Sequence, residues 1–201
     1  KSSESALLLN KKISADFPND LVETVKQSDV VFLSVSDNSI KSVAEEIASK
    51  VPKKHIENKV FIHLSGALTS DELSVLKDFG GYIASLHPAQ TFASKEDGWR
   101  KLYNIYFGFE GCSISKKYAN TIVEGFNGTM VCIKKQDKAL YHAAACIISN
   151  YTVTLSYIAS EILTGLGFEK EASEKVFLPL IKGTVENLES RGVLDSITGP
   201  V

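Results

Sequence analysis

From Gln136 to Leu163 the chain keeps a helical pattern of apolar residues with neither proline nor glycine to interrupt it. A helix this apolar on most sides has to be buried, either in a core or against a second copy. The run also divides the chain. Before it, short apolar stretches alternate with amphipathic segments. After it everything reads as helix, with Gly165 and Gly167 as stop signals ahead of a further helix from about Lys170 to Ser190. At its start, Lys138 and His142 stand at the spacing that shares a helix face. His142 and Asn150 are about two turns apart and lie on roughly the same side.

The region ahead of this helix reads as follows. Ser3 to Asn10 is the later part of a helix and Ile13 to Phe17 a short strand. Pro18-Asn19-Asp20 opens a helix to Gln27, with Asp20 and Glu23 at its positive end. Asp29 to Val35 is apolar on both faces, as a buried parallel strand is. Ser36 to Ser39 turns the chain into a helix from Ile40 to Lys50. Lys59 to Leu64 is the next strand, followed by the Ser65-Gly66-Ala67-Leu68 turn and a capping-box spacing at Thr69 to Glu72. Tyr82 to Leu86 is a strand ended by His87-Pro88, and Ala89 to Lys101 is a crossover. Asn104 to Phe109 and Thr129 to Ile133 are strands around a helix from Ser115 to Phe126. This alternation predicts an α/β fold: a mainly parallel, doubly wound sheet over residues 1–135, then a helical domain over 136–201.

Composition narrows the function classes. The 201 residues are 44% hydrophobic, enough for a real core, and the net charge of −2 gives no bulk attraction to nucleic acid or to an anionic membrane. No apolar run is long enough to span a bilayer. Cys112, Cys132 and Cys146 are odd in number and lack zinc or redox spacing, which favours free thiols in a reducing compartment such as the cytoplasm. His55, His63, His87 and His142 have no metal-ligand spacing, so no metal site is expected.

Ligands of such sheets bind at the carboxyl ends of the strands. Three loops fall there. Ser36-Asp37-Asn38 follows Val35; Asp37 suits either a helix cap or a ligand contact. Ser65-Gly66 follows Leu64; it is a plain turn, or a place where glycine lets a ligand approach the backbone. His87-Pro88-Ala89-Gln90 follows Leu86; His87 suits a structural hydrogen bond or acid–base work. Tyr141, beside His142, suits packing or catalysis.

Five segments occur in a fixed order: His63 to Ala67, Ser85 to Phe92, Phe109 to Gly111, Ala139 to Ala145 with Ser149 to Tyr151, and Thr198 to Pro200. Together they resemble a Rossmann-like family of NADP-dependent oxidoreductases of unassigned substrate, similar in architecture to ketopantoate reductase and to imine and proline-forming reductases. The resemblance implies a Rossmann-like dinucleotide-binding domain, a helical substrate and dimerisation domain, a homodimer, and hydride transfer between NADP(H) and a small carbonyl, imine or hydroxy compound. In such an enzyme Ser36, Asp37, Ser65 and Gly66 are expected to hold the cofactor, and Lys1, Ser2 and Ser3 to meet its 2′-phosphate. His142 is the expected proton donor with Lys138 second, and Asn150 orients substrate. His87, Gln90 and Tyr141 are expected to bind substrate. The family opens with a strand and a glycine-rich turn that have no counterpart here, so the chain reads as cut at both ends. Asp29 to Val35 then forms an apolar edge that calls for a partner. The rival reading is a non-catalytic, dimeric nucleotide- or metabolite-binding protein on the same scaffold.

Overall fold

The computed structural model describes residues 20–94 and 98–197. The helix and strand expected before Pro18, and Lys1, Ser2 and Ser3 with their phosphate role, lie outside those residues. The chain divides into two compact units, Lys1–Ala144 and Ala145–Val201.

In the first unit the described residues form a five-stranded sheet in the order β1-β2-β3-β4-β5. The strands are β1 (Val30–Leu33), β2 (Val60–His63), β3 (Tyr82–Pro88), β4 (Tyr106–Gly111) and β5 (Thr129–Cys132). All neighbours are parallel except β3 and β4, which run antiparallel. The helices are α1 (Leu21–Gln27), α2 (Asp37–Lys50), α3 (Ser74–Asp78) and α4 (Ser113–Gly125). Asp20 caps α1, its Oδ1 accepting from Val22 N at 2.7 Å and Glu23 N at 3.1 Å.

Successive strand residues point to opposite faces, so each strand feeds two cores. Leu33, Phe61 and Ile83 pack with Ile40, Ala44 and Ile47 of α2 and Leu76 of α3. Val60, Ile62, Ala84, Leu86, Phe107 and Phe109 pack with Ala119 and Val123 of α4. Helices therefore cover both faces, the doubly wound arrangement read from the sequence.

Three local expectations change. β3 does not end at Leu86 but continues through His87 and Pro88. Pro88 is the last strand residue, where a missing N–H costs the ladder least, and Ala89 N then donates to Tyr106 O at 2.9 Å. The capping box at Thr69 to Glu72 does not form; Thr69 makes no side-chain cap to the short helical turn Ser70–Leu73. No partner for the β1 edge occurs among the described residues: β1 pairs with β2 alone, and Phe32 on it is 42% exposed.

The long helical run opens as α5 (Lys138–Cys146). The boundary between units falls within it, after first turns that pack through Lys138 and Tyr141 onto strands of the first unit. Beyond Cys146 the helix widens into a π turn at Ile147–Tyr151. The phase linking Lys138 to His142 is therefore not carried to Asn150, which belongs to the second unit.

The second unit is all helical: α6 (Thr152–Gly165), α7 (Lys170–Lys175) and α8 (Leu178–Arg191). The single helix expected from Lys170 to Ser190 is split because Pro179 suits the first turn of a new helix, while its ring would clash inside a continuing one. Much of this unit's apolar surface is open, with Ile148 and Val153 each 69% exposed. No helix among the described residues is long and apolar enough to cross a membrane.

Candidate functional site

The strand registers place one row of polar side chains across the sheet. His63 of β2 is aligned with Ser85 of β3, and Ser85 with Glu110 of β4. Residues in register share a face, so all three continue the face that carries Phe61 and Ile83. All three are buried. Each is satisfied, as buried polar groups have to be. His63 Nδ1 accepts from Ser65 N at 3.2 Å, and Nε2 pairs with Thr69 O at 3.0 Å. One acceptor and one donor define a neutral ring, and burial holds its pKa below the usual histidine value. Glu110 accepts from Ser70 N at 2.6 Å and Ser70 Oγ at 2.9 Å.

Lys138 closes the row from above. Its ammonium, on a residue only 1% exposed, donates to Ser85 Oγ at 2.6 Å and to Ser65 O at 2.9 Å. Ser85 Oγ in turn donates to Ser65 O at 2.9 Å. Burial pulls the Lys138 pKa down to about 8, while the charges of Glu110 and Asp37 hold it up.

Ser65 is the hub of the strand-end loops. Its hydroxyl donates to Asp37 Oδ2 at 2.8 Å and accepts from Ala67 N at 3.2 Å and Leu68 N at 3.0 Å. That is a hydroxyl's whole capacity of one donor and two acceptors. Ser65 therefore fixes the turn and ties it to the first residue of α2. Ser36 precedes α2 without capping it; its Oγ lies 2.9 Å from Ser39 Oγ, and both Ser36 and Asp37 are exposed.

On the open side of the row lies an imidazole and phenol cluster. His87 Nδ1 is 3.1 Å from Tyr141 Oη, the rings meeting edge to face at 87°. His142 approaches the same imidazole, ring centroids 6.0 Å apart. Two glycines make this fit possible. A Cβ on Gly108, directly opposite His87 in the β3–β4 ladder, would stand 2.7 Å from Tyr141 Oη. A Cβ on Gly66 would stand 2.6 Å from His142 Nδ1 and 2.9 Å from His87 Nε2. Burial, reinforced by the charges of Lys138 and His142, lowers the His87 pKa to about 4. Burial raises that of Tyr141. Near neutral pH the pair is thus an uncharged imidazole beside an intact phenol.

The first unit brings together Asp37, Ser65, Gly66, His87, Lys138, Tyr141 and His142 of the residues picked from sequence. The geometry adds detail at three of these positions. Lys138 is buried in the sheet-end network. The space over Gly66 is taken by two imidazoles rather than left for a ligand. Gln90 bonds its own neighbour, Thr91 N donating to its Oε1 at 2.8 Å. Sequence reading gave no role to Ser85 or Glu110. The available signal was a polar residue at the inward phase of an apolar strand. No cluster of His, Cys, Asp and Glu that could hold a metal occurs among the described residues.

Residues 105–201 match the profile of a domain of unknown function, DUF2520. No curated protein matches the chain. Among solved structures, protein TM1727 from Thermotoga maritima is 30% identical, with a TM-score of 0.74, covering 99% of this chain and 72% of its own. Pyrroline carboxylate reductase from Plasmodium falciparum, solved with NADP bound, is 20% identical over 93% of this chain and 70% of its own, with a TM-score of 0.64. An imine reductase from Myxococcus stipitatus in complex with NADP+ is 15% identical over 94% of this chain and 66% of its own, also at a TM-score of 0.64. The Rossmann-like resemblance read from the sequence holds: the structural neighbours include NADP-dependent reductases of this architecture.

Proposed function

The chain belongs to the same family as the Thermotoga maritima protein TM1727, and from that premise we propose that it is an NADP-dependent oxidoreductase reducing a small C=O or C=N compound, or oxidising the corresponding product. The observation that carries the reading is the meeting of an uncharged imidazole, an intact phenol and a buried ammonium at the carboxyl ends of β2 and β3. Strand carboxyl ends are where such sheets take their ligands.

When bound, the nicotinamide supplies or removes a hydride. Among the described residues, Ser36 and the first turn of α2 fit a cofactor, since they are exposed at a helix amino terminus. Ser65 and Gly66 serve indirectly, the first by fixing the loop and the second by admitting the imidazoles. Lys1, Ser2 and Ser3 remain the proposed contacts for a 2′-phosphate, where a cation and two hydroxyls suit a dianion. Lys138 is proposed as the residue that sets the geometry, because two of its three donors are held by Ser65 O and Ser85 Oγ. A proton has to accompany the hydride, and the His87, Tyr141 and His142 cluster is the group able to provide it. His87 and Gln90 border the proposed substrate site, and Asn150 is retained as a substrate-orienting residue.

The exposed apolar residues of α6 support a homodimer through the helical unit; Leu155 is 66% and Ile162 61% exposed. Free cysteines support a reducing compartment such as the cytoplasm. Fluorescence titration of the full-length protein tests the cofactor reading. NADPH is expected to bind more tightly than NADH, with light scattering of the same sample giving twice the monomer mass. Tighter binding of NADH overturns the phosphate assignment. NADPH binding with no turnover of any imine or carbonyl leaves the non-catalytic binding protein.

A further inference from the structure

Resting on that reductase reading, we propose that Tyr141 Oη delivers the proton to the substrate's oxygen or nitrogen, and that His87 restores it by exchanging one neutral tautomer for the other. Sequence spacing pointed instead to His142 and Lys138. The geometry separates these residues. The Lys138 ammonium is committed to Ser65 O and Ser85 Oγ inside the sheet-end network. His142 packs against the backbone of Gly66 and bounds the cluster on that side. Of the three, only Tyr141 has its hydroxyl within hydrogen-bond reach of a proton carrier, Oη lying 3.1 Å from His87 Nδ1.

The backbone is shaped around that contact. His87 and Gly108 are direct partners in the antiparallel ladder. A side chain at Gly108 would point to the same face as His87 and occupy the position of the phenol, meeting Tyr141 Oη at 2.7 Å. Glycine at 108 leaves the phenol room to cross β4 and reach the imidazole. Gly66 does the same at the other edge of the His87 ring, where its missing Cβ would lie 2.9 Å from Nε2. No hydrogen bond to Nε2 occurs among the described residues, and the relay takes its replacement proton from water at this nitrogen.

The step balances without any charged intermediate on the protein. The cycle opens with His87 protonated on Nδ1. The substrate's C=O or C=N carbon gains a hydride with its electron pair, and the π bond breaks toward the heteroatom. That atom takes the proton of Tyr141 Oη. The Nδ1 proton moves to Oη, and water gives a proton to Nε2. One proton enters from water and one leaves on the product; Tyr141 and His87 end neutral with His87 as its Nε2 tautomer, and loss of that proton to water with uptake of another at Nδ1 resets the pair. A histidine held uncharged by burial is a poor imidazolium acid, but it can still act as this kind of relay.

The test uses full-length protein with Tyr141→Phe, which keeps the ring and removes the hydroxyl, and with Gly108→Ala, which displaces the phenol and keeps both titratable groups. NADPH binding is followed by fluorescence. Single-turnover oxidation of NADPH is measured with 1-pyrroline for imines and pyruvate for carbonyls. Imidazole nitrogen NMR shifts of His87 are read without any substrate. The expected result is near wild-type NADPH binding in both variants. Turnover falls by about a hundred- to ten-thousand-fold in Tyr141→Phe, with loss of the solvent deuterium isotope effect from any residual rate. Both variants should shift the His87 Nδ1 resonance. Wild-type turnover in Tyr141→Phe, or unmoved His87 resonances, overturns the relay. Failure of the wild-type protein to bind NADPH or reduce either probe overturns the reductase reading, while the NMR result still decides whether the two side chains share a proton.

Discussion

The two faces of β2, β3 and β4 are built from alternate residues of the same strands, yet they do different work. One face carries Ile62, Ala84, Leu86 and Phe109 against α4 and is apolar to the strand ends. The other begins with Phe61 and Ile83 against α2 and α3, then turns into His63, Ser85 and Glu110 before the strands finish. Apolar packing is non-directional and tolerates changes that conserve volume. A buried polar row is directional, and each bond depends on its neighbour. The first face holds the sheet together; the second fixes where Ser65, His87 and Lys138 stand.

The largest expected effect lies on the apolar face. Phe109→Ala should lower unfolding free energy by about 3–5 kcal/mol, the usual cost of an emptied aromatic site in a core. Urea denaturation measures it, and the His87 and Tyr141 contact should survive in the folded fraction. A change as small as that of a surface substitution would break the distinction between the faces.

On the polar face, Glu110→Ala removes the acceptor for two donors of Ser70. Each hydrogen bond to a charged group is worth about 1.5–3 kcal/mol, so losing the two together falls in the same range as the loss at Phe109. It should be less confined, because Glu110 helps keep the neighbouring ammonium of Lys138 charged. Nitrogen NMR of Lys138 is expected to show its pKa falling below the native value of about 8 in this variant. An unchanged lysine titration would sever Glu110 from the rest of the row.

The smallest effect at neutral pH is expected from His87→Asn, whose signature lies in acid. The native His87 pKa is lowered from 6.5 to about 4. Between those values the unfolded chain binds a proton that the folded one does not. Stability is therefore complete above pH 6.5 and is lost as pH falls toward 4. The variant should show a shallower acid limb in denaturation midpoints against pH. His63, also lowered by burial, should preserve part of the slope. An acid limb of wild-type steepness would show that His87 does not carry it.

Much of this architecture could be read from residue order. Short runs apolar on both faces at Val30–Leu33 and Val60–His63, separated by an amphipathic segment, identify strands and helices because side-chain direction follows backbone period. The same logic located Asp37, Ser65, His87 and His142, since strand ends and helix starts are local features. The sequence by itself also determined where the chain changes from sheet to helix. Only the tertiary structure decided the rest. That Lys138 is buried against Ser65 and Ser85 depends on segments far apart in the chain meeting at one sheet edge. That Gly108 opposes His87 depends on the register of an antiparallel pair, which a one-residue slip would have turned to the other face. The π turn at Ile147–Tyr151 likewise breaks a helical phase that spacing alone would have extended. Spacing along a chain encodes which residues share an element; which elements share a site is set by packing between them.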